Sequence, residues 1–452
     1  NIDYNIVLYV PEGSLYAYSN SDGWNNFSQI VEFEVVVEEE EEEEPPYVEP
    51  MFVKIDVALA GTINSYISTA DKNSITDLTV TGNLNGDDIL FLREMAGSDV
   101  NGGSTAGNLR TLDMSGASIV AGGGLYFANP EVGFYETEDN VLGVAMFAMC
   151  DKLTSITLPA TLSSANILAF AFCENLEAIN VPASNTSLKS VDGVLFDYDM
   201  ENLYSYPQKR SNTSYTVPVT VKSIRSYAFQ GSRYLKSVVL PEGLETLEQG
   251  VFYYSEQLES INIPESITEI PDFFLGNCSK LLSITLPTGL TAIGGYAFAN
   301  TGITSIILPA TINSLGQKIF TGTSLEKIQV LNTTPIIIHD KTFENIPQNC
   351  ILIVPNGSVT AYQLAPVWNQ FYNIIDVATS NQSLEANRTV VFTAKNAIVI
   401  KNAKKQTAVS IYSLTGTLIK TLITNTDYEV VELPVGGIYI VKIEGVSYKV
   451  MM

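Results

Sequence analysis

The chain has 452 residues, 46% of them hydrophobic, with 49 acidic and 24 basic side chains and one histidine, for a net charge of −25. So acidic a balance excludes nucleic acid and anionic membrane as expected partners, because both recruit a basic face. A single histidine, His339, removes most histidine-based triads and metal sites, and no apolar run of about eighteen residues is present to span a bilayer.

In chain order, residues 1–34 form a module that recurs without gaps at 351–376. Identical pairs include Pro11/Pro355, Gly13/Gly357, Tyr18/Tyr362, Trp24/Trp368 and Phe27/Phe371. The second copy follows the last repeat and reads as a C-terminal cap: a strand, a short helix from Ser358 to Gln363, then an aromatic plug. The first copy stands where no array precedes it, which implies a parent chain longer at its N-terminus or a trimmed relic. Residues 35–51 hold Glu38 to Glu44 followed by Pro45 and Pro46, a charge-repelled, proline-stiffened spacer. A calcium-collecting tract is the alternative reading, disfavoured by the absence of ordered ligand spacing.

From residue 52 the chain reads as a repeat. Prolines at 159, 182, 218, 241, 264, 287 and 309 are separated by 23, 36, 23, 23, 23 and 22 residues, a 23-residue period with one 13-residue insertion. Around Pro241 the apolar residues are Leu235, Val238, Leu240, Leu244, Leu247 and Phe252. The same offsets around Pro264 give Leu258, Ile261, Ile263, Ile267, Ile270 and Leu275, and around Pro287 they give Leu281, Ile284, Leu286, Leu290, Ile293 and Phe298. Apolar positions two apart before the proline point inward from a strand, which the proline ends because it cannot donate to the ladder. A fixed period of this length specifies a solenoid whose coils bury their apolar faces against one another. Leu78/Val80, Leu112/Met114, Ile328/Val330 and Leu352/Val354 extend the pattern. About eleven strands at roughly 4.8 Å would make a curved rod about 50 Å long.

Several departures from the period stand out. Gly86 to Met95 reads as a short helix with Asp87 near its N-terminus. Ala121 to Asn140 is a glycine-rich excursion carrying Tyr126, Phe127, Phe134 and Tyr135. The insertion from Ser190 to Tyr206 alternates like a hairpin built on Asp197 to Asn202. From Val377 the period ends. Residues 380–452 hold eight basic and five acidic side chains, so this module is +3 while the remainder is −28.

The unit Tyr227-Ala-Phe-x-Gly-Ser232, followed by Leu235, Val238, Leu240 and Pro241, resembles the 23-residue leucine-rich repeat of BspA-like surface proteins of Bacteroides and relatives, over about 52–376. The segments from Val409 to Lys420 and from Val435 to Ile443 resemble the C-terminal β-sandwich used as a secretion sorting module in Bacteroidota. The resemblance implies an extracellular or cell-surface adhesion and protein-binding role in a Gram-negative, Bacteroidota-like bacterium. The expected architecture is a β-rich (α+β) leucine-rich-repeat solenoid of about eleven coils with a small C-terminal β-sandwich: 1–34 cap-like, 35–51 linker, 52–376 solenoid with its cap at 351–376, and 377–452 sandwich.

Little in the sequence points to catalysis. Cys150, Cys173 and Cys278 occupy one offset, nine before the strand proline, where other repeats place Ser232 and Ser255. They read as buried ladder thiols rather than disulfide or zinc ligands. No cofactor is implied, and no nucleophile-elbow, zinc-protease or phosphate-loop motif is present. The outward strand positions, among them Thr157, Asn180, Asn262 and Thr285, form a small, neutral strip equally suited to an exposed sheet or to close approach by a partner. The aromatics Tyr126, Phe127, Tyr204, Tyr206, Tyr253 and Tyr254 are the stronger contact candidates, because aromatic side chains dominate interface energies. The expected function is non-enzymatic binding of a host or bacterial surface protein by a monomer that does not insert in membrane. The alternatives are a carbohydrate-binding module and, less favoured, a glycosidase built on paired carboxylates.

Overall fold

The computed structural model describes residues 7–11, 29–33, 51–377 and, with short gaps, 390–451. The acidic run Glu38 to Glu44, Trp24, Phe27, Gly416 and the turn from Pro434 to Gly437 lie outside the described residues. The chain divides into two units, Asn1–Pro50 and Met51–Met452. In the first, strands Val7–Pro11 and Gln29–Phe33 pair in parallel, with Val7 opposite Gln29. In the second, Ile351 pairs in parallel with Asn373, the same 22-residue step at the aligned positions.

Residues 51–376 wind into a β-solenoid of about 14 turns. The sequence code marks eleven. Phe52–Val57, paired with Asp77–Gly82, and Asn373–Asp376 each add a turn at an end. The insertion adds another, because its last strand, Asn202–Ser205, pairs in parallel with Ser223–Ile224. As the alternation predicts, Val194–Asp197 and Asn202–Ser205 are antiparallel. The Asp197 carboxylate closes their turn by accepting from the Glu201 and Asn202 N–H groups, both within 2.9 Å.

Three ladders join successive coils. The first is the strand before each proline, where Ser214, Ser237 and Ser260 lie side by side. The second is a short strand after it, which aligns Ser223 with Thr246 and, further on, Glu269 with Ala292. Between Thr246–Leu247 and Glu269–Ile270 this second ladder breaks. Glu248 donates to Ile224 and Gly294 to Ile270, but the equivalent donor between them would be Pro271, which has no N–H.

The third ladder lies in the turns. Tyr227, Phe229 and Gly231 donate to Gln249, Val251 and Tyr253 of the next coil at 2.9–3.0 Å. The set repeats from Gly250, from Phe273 and from Tyr296. Each turn holds two left-handed residues four apart, as in Tyr227/Gly231, Gly250/Tyr254, Phe273/Asn277, Tyr296/Asn300 and Lys318/Gly322, all with φ between 53° and 74°. Together with the residue midway, they aim three N–H groups at the same neighbour. Leaving those groups unpaired in a buried turn would cost more than about 1 kcal/mol each, which offsets the strain of a left-handed non-glycine residue.

Between the ladders the coils are filled by aromatics. Phe229 and Phe252 stack at 4.9 Å between centroids, Phe298 and Phe320 at 5.8 Å, and Phe343 packs on Trp368 and Phe371 at the C-terminal end. Burial of one such ring stabilises by about 2–3 kcal/mol, with about 1 kcal/mol more from ring contact. The expected helix spans Gly86–Met95 and is capped by Asn85, whose side chain accepts from Asp87 N–H. Its buried Arg93 donates to the carbonyls of Ala145 and Met146 at 3.1 Å. At the far end, two antiparallel sheets share a core that includes Ile398, Ile411, Val431 and Val441, which makes the C-terminal module a β-sandwich.

Candidate functional site

The left-handed turn position recurs at 227, 250, 273, 296 and 318, and because each coil lies beside the last, the side chains there form a row. Tyr227, Phe273 and Tyr296 occupy three places; the fourth is Gly250, which lies under the Tyr227 ring, and Tyr253 and Tyr254 from the same turn continue the row. Centroids run Tyr227–Tyr253 at 6.4 Å, Tyr253–Phe273 at 5.5 Å and Phe273–Tyr296 at 5.1 Å, with Tyr254 at 4.5 Å from Tyr253. The Lys318 ammonium, 5.9 Å from the Tyr296 centroid, closes the row. It is held there by Glu344 at 3.1 Å.

Polar groups border these rings. Gln249 donates to the Tyr227 hydroxyl at 3.1 Å, and Asn300 donates to Asn277 at 2.8 Å. Partial burial pushes the Tyr253 phenol up to about 12, reinforced by its hydrogen bond with Tyr254. The Tyr253 hydroxyl therefore stays protonated at physiological pH. Tyr254 is 45% exposed and the other rings are half-buried. The ridge thus presents ring faces, phenol hydroxyls and amide edges fixed on a rigid ladder. Such a surface can dock apolar and hydrogen-bonding groups at low entropic cost.

Of the sequence-predicted contacts, Tyr253 and Tyr254 belong to this ridge. Three others are corrected. Tyr126 is 1% exposed and donates to the Val144 carbonyl at 2.9 Å. Phe127 is fully buried beneath Arg93, 5.0 Å from its guanidinium carbon. The glycine-rich excursion is a hairpin of Gly122–Asn129 and Gly133–Thr137 whose aromatic pair folds inward against the helix. Tyr206, 2% exposed, stacks on Phe229 at 5.0 Å; it stands one period before that residue and fills the inserted coil. Tyr204 is half-buried, with the Arg225 guanidinium 6.0 Å from its ring.

The strand-face residues are placed as predicted, outward, but two are already engaged. Asn180 donates to Ser155 at 3.2 Å, and Asn262 bridges both main-chain groups of Leu240 at 2.8 and 3.0 Å. Thr157 is half-buried and Thr285 exposed. The sequence reading missed Tyr227, Phe273 and Tyr296, although their 23-residue spacing is visible once the turn position is aligned.

Cys150, Cys173 and Cys278 are free and fully buried, as register predicted. Their shared position has a definite use. Cys173 and Cys278 donate to the carbonyls of Phe147 and Phe252 one coil back, at 3.0 and 3.2 Å, and Ser255 does the same to Phe229 at 2.8 Å. Among the described residues no group of three histidine, cysteine or carboxylate side chains is placed to hold a metal ion. Nor, among them, is any helix long and apolar enough to cross a membrane.

Comparison with known proteins agrees with this architecture. Residues 134–196 and 202–326 match the BspA type leucine-rich repeat region in six copies, and 378–452 match DUF6383, a domain of unknown function. No curated protein matches. Among solved structures, the pneumococcal vaccine antigen PcpA is 20% identical, with 77% of this chain and 73% of that one covered at a TM-score of 0.48. A leucine-rich cell surface protein of Faecalibacterium prausnitzii is 19% identical over 64% and 85%, at 0.42. A leucine-rich repeat protein of Bacteroides ovatus is 22% identical over 60% and 72%, at 0.36. The array over residues 134–196 and 202–326 is of the BspA leucine-rich-repeat type.

Proposed function

We propose that the chain is a non-enzymatic extracellular binding protein that uses its repeat scaffold to hold a contact ridge against a host or bacterial surface protein. The observation that carries this reading is the row Tyr227, Tyr253, Tyr254, Phe273 and Tyr296, continuous across neighbouring coils and accessible at Tyr254. Fixed aromatics of this kind supply most of the energy of protein interfaces. The chain acts as a monomer at the surface of a Gram-negative, Bacteroidota-like cell, and the β-sandwich at its C-terminus serves secretion sorting. A carbohydrate-binding role is the second reading, favoured by the amide edges of Gln249, Asn277 and Asn300 beside the tyrosine rings.

The test applies the full chain to arrays of host matrix proteins, mucin and glycans, beside the variant Tyr253→Ala/Tyr254→Ala/Tyr296→Ala. The reading predicts a protein ligand whose binding falls more than about tenfold in the variant while its circular dichroism is unchanged. Signals confined to glycans establish the second reading, and full binding by the folded variant overturns both.

A further inference from the structure

The coil from Leu281 to Pro287 obeys the repeat code, yet its strand segment has no ladder partner. Ser260 and Ile261 on one side pair only with Ser237 and Val238, and Ser305–Leu308 on the other pair only with Lys327–Val330. In neighbouring coils the Lys236 carbonyl accepts from Glu259 and Ser260 at 2.8 and 3.1 Å, and the Thr304 carbonyl accepts from Glu326 at 2.8 Å. The carbonyls of Glu259 and Leu282 hold the same place and accept nothing, and main-chain groups 282–286 neither donate nor accept a main-chain hydrogen bond. The other ladders stay closed there: Glu269–Ile270 pairs with Ala292–Ile293, and Phe273 donates to Gly295 at 2.9 Å. The opening is therefore confined to the strand face.

That opening is a cleft of about 410 Å³, bounded by Glu259, Ser260, Ile261, Glu265, Ser283 and Ile284. Ile261 and Ile284 are only partly buried, whereas Val238 and Ile306 at the same repeat position are buried. Two carboxylates flank the cleft, and Glu259 has only an exposed 3.7 Å pairing with Lys236. Unpaired strand groups above a partly exposed apolar floor are a template for another strand.

We propose that this cleft takes up an extended peptide by strand addition, with a β-branched centre flanked by basic residues. The peptide's main chain supplies the donors and acceptors that 282–286 lack. Its apolar side chains cover Ile261 and Ile284, and its cations meet Glu259 and Glu265. The site is independent of the aromatic ridge, which lies on the turns.

The experiment titrates the full chain with fluorescein-labelled acetyl-Lys-Val-Thr-Val-Lys-amide and follows anisotropy and amide hydrogen exchange. The expected result is saturable binding, with exchange at Ser283, Ile284, Thr285 and Leu286 slowed about tenfold or more. The same peptide N-methylated at both valines, and the variant Thr285→Pro, should each bind about tenfold more weakly. That proline replaces an N–H with no partner in the free chain, so it removes no hydrogen bond from the fold, and an unchanged circular dichroism spectrum is the control. No saturable binding, equal binding of the N-methylated peptide, or free-chain exchange at 283–286 as slow as at Val238 overturns the proposal. So does protection that appears only as protein concentration rises, which would make a second copy the occupant.

Discussion

The ring of Tyr227 lies over Gly250 of the next coil, in the space where a Cβ at residue 250 would sit. Gly250 is also left-handed, at φ 62°. Gly250→Ala therefore adds backbone strain of about 1 kcal/mol and forces the ring aside for about 1–3 kcal/mol more. The expected outcome is a lowered urea midpoint together with a shift in tyrosine fluorescence. An unchanged midpoint would mean that the row is not packed as described.

The core aromatic of each coil bears on both neighbours. Phe252 stacks on Phe229 at 4.9 Å and meets Phe274 edge-on at 5.7 Å. Phe252→Ala should cost about 3–5 kcal/mol, whereas Phe252→Leu should cost far less, because Leu275 occupies this position one coil later. Denaturant unfolding of the two variants separates these outcomes.

The donor at the thiol position can be tested by exchange of one atom. Cys278 donates to the Phe252 carbonyl where Ser255 donates to that of Phe229. Cys278→Ser should retain stability to within about 1 kcal/mol, and Cys278→Ala should lose about 1–2 kcal/mol through the lost contact and hydrogen bond. Thermal unfolding under reducing conditions reads both.

Alkaline pH should unfold the chain through its buried thiols. Desolvation raises Cys150 from 9.0 to about 11. The neutral thiol is thus favoured by folding: its contribution is whole below pH 9 and is lost as pH rises towards 11, where only the unfolded chain ionises. The loss amounts to about 2–3 kcal/mol for this one residue. Denaturation midpoints measured from pH 7 to pH 11 should fall in that window, and Cys150→Ser should flatten the fall.

Much of this architecture is written in residue type. Val238, Ile261 and Phe252 sit at positions whose chemistry alone states strand or core, and Asp197 announces its turn. The turn ladder is only half legible: Gly231, Gly250, Asn277, Asn300 and Gly322 mark one left-handed place in each turn, but the other is held by Tyr227, Tyr254, Phe273, Tyr296 or Lys318, which nothing in residue type marks. Tyr126 and Phe127 misled because glycines around them suggest an open loop, whereas the hairpin folds back and buries both. Ile284 fits the code perfectly, yet its strand stays unpaired, a relation between coils that no single repeat encodes.

The central claim is that one apolar code stacks coils in register and leaves their turns as a recognition surface. Amide hydrogen exchange of the full chain tests it directly. Phe229, Phe252, Leu275 and Phe298 donate to the next coil at 2.8–3.0 Å and are spaced 23 residues apart. The account predicts that their amides exchange among the slowest in the protein, in a pattern recurring with that spacing. Fast exchange at these four positions, or slow exchange without the period, would contradict it.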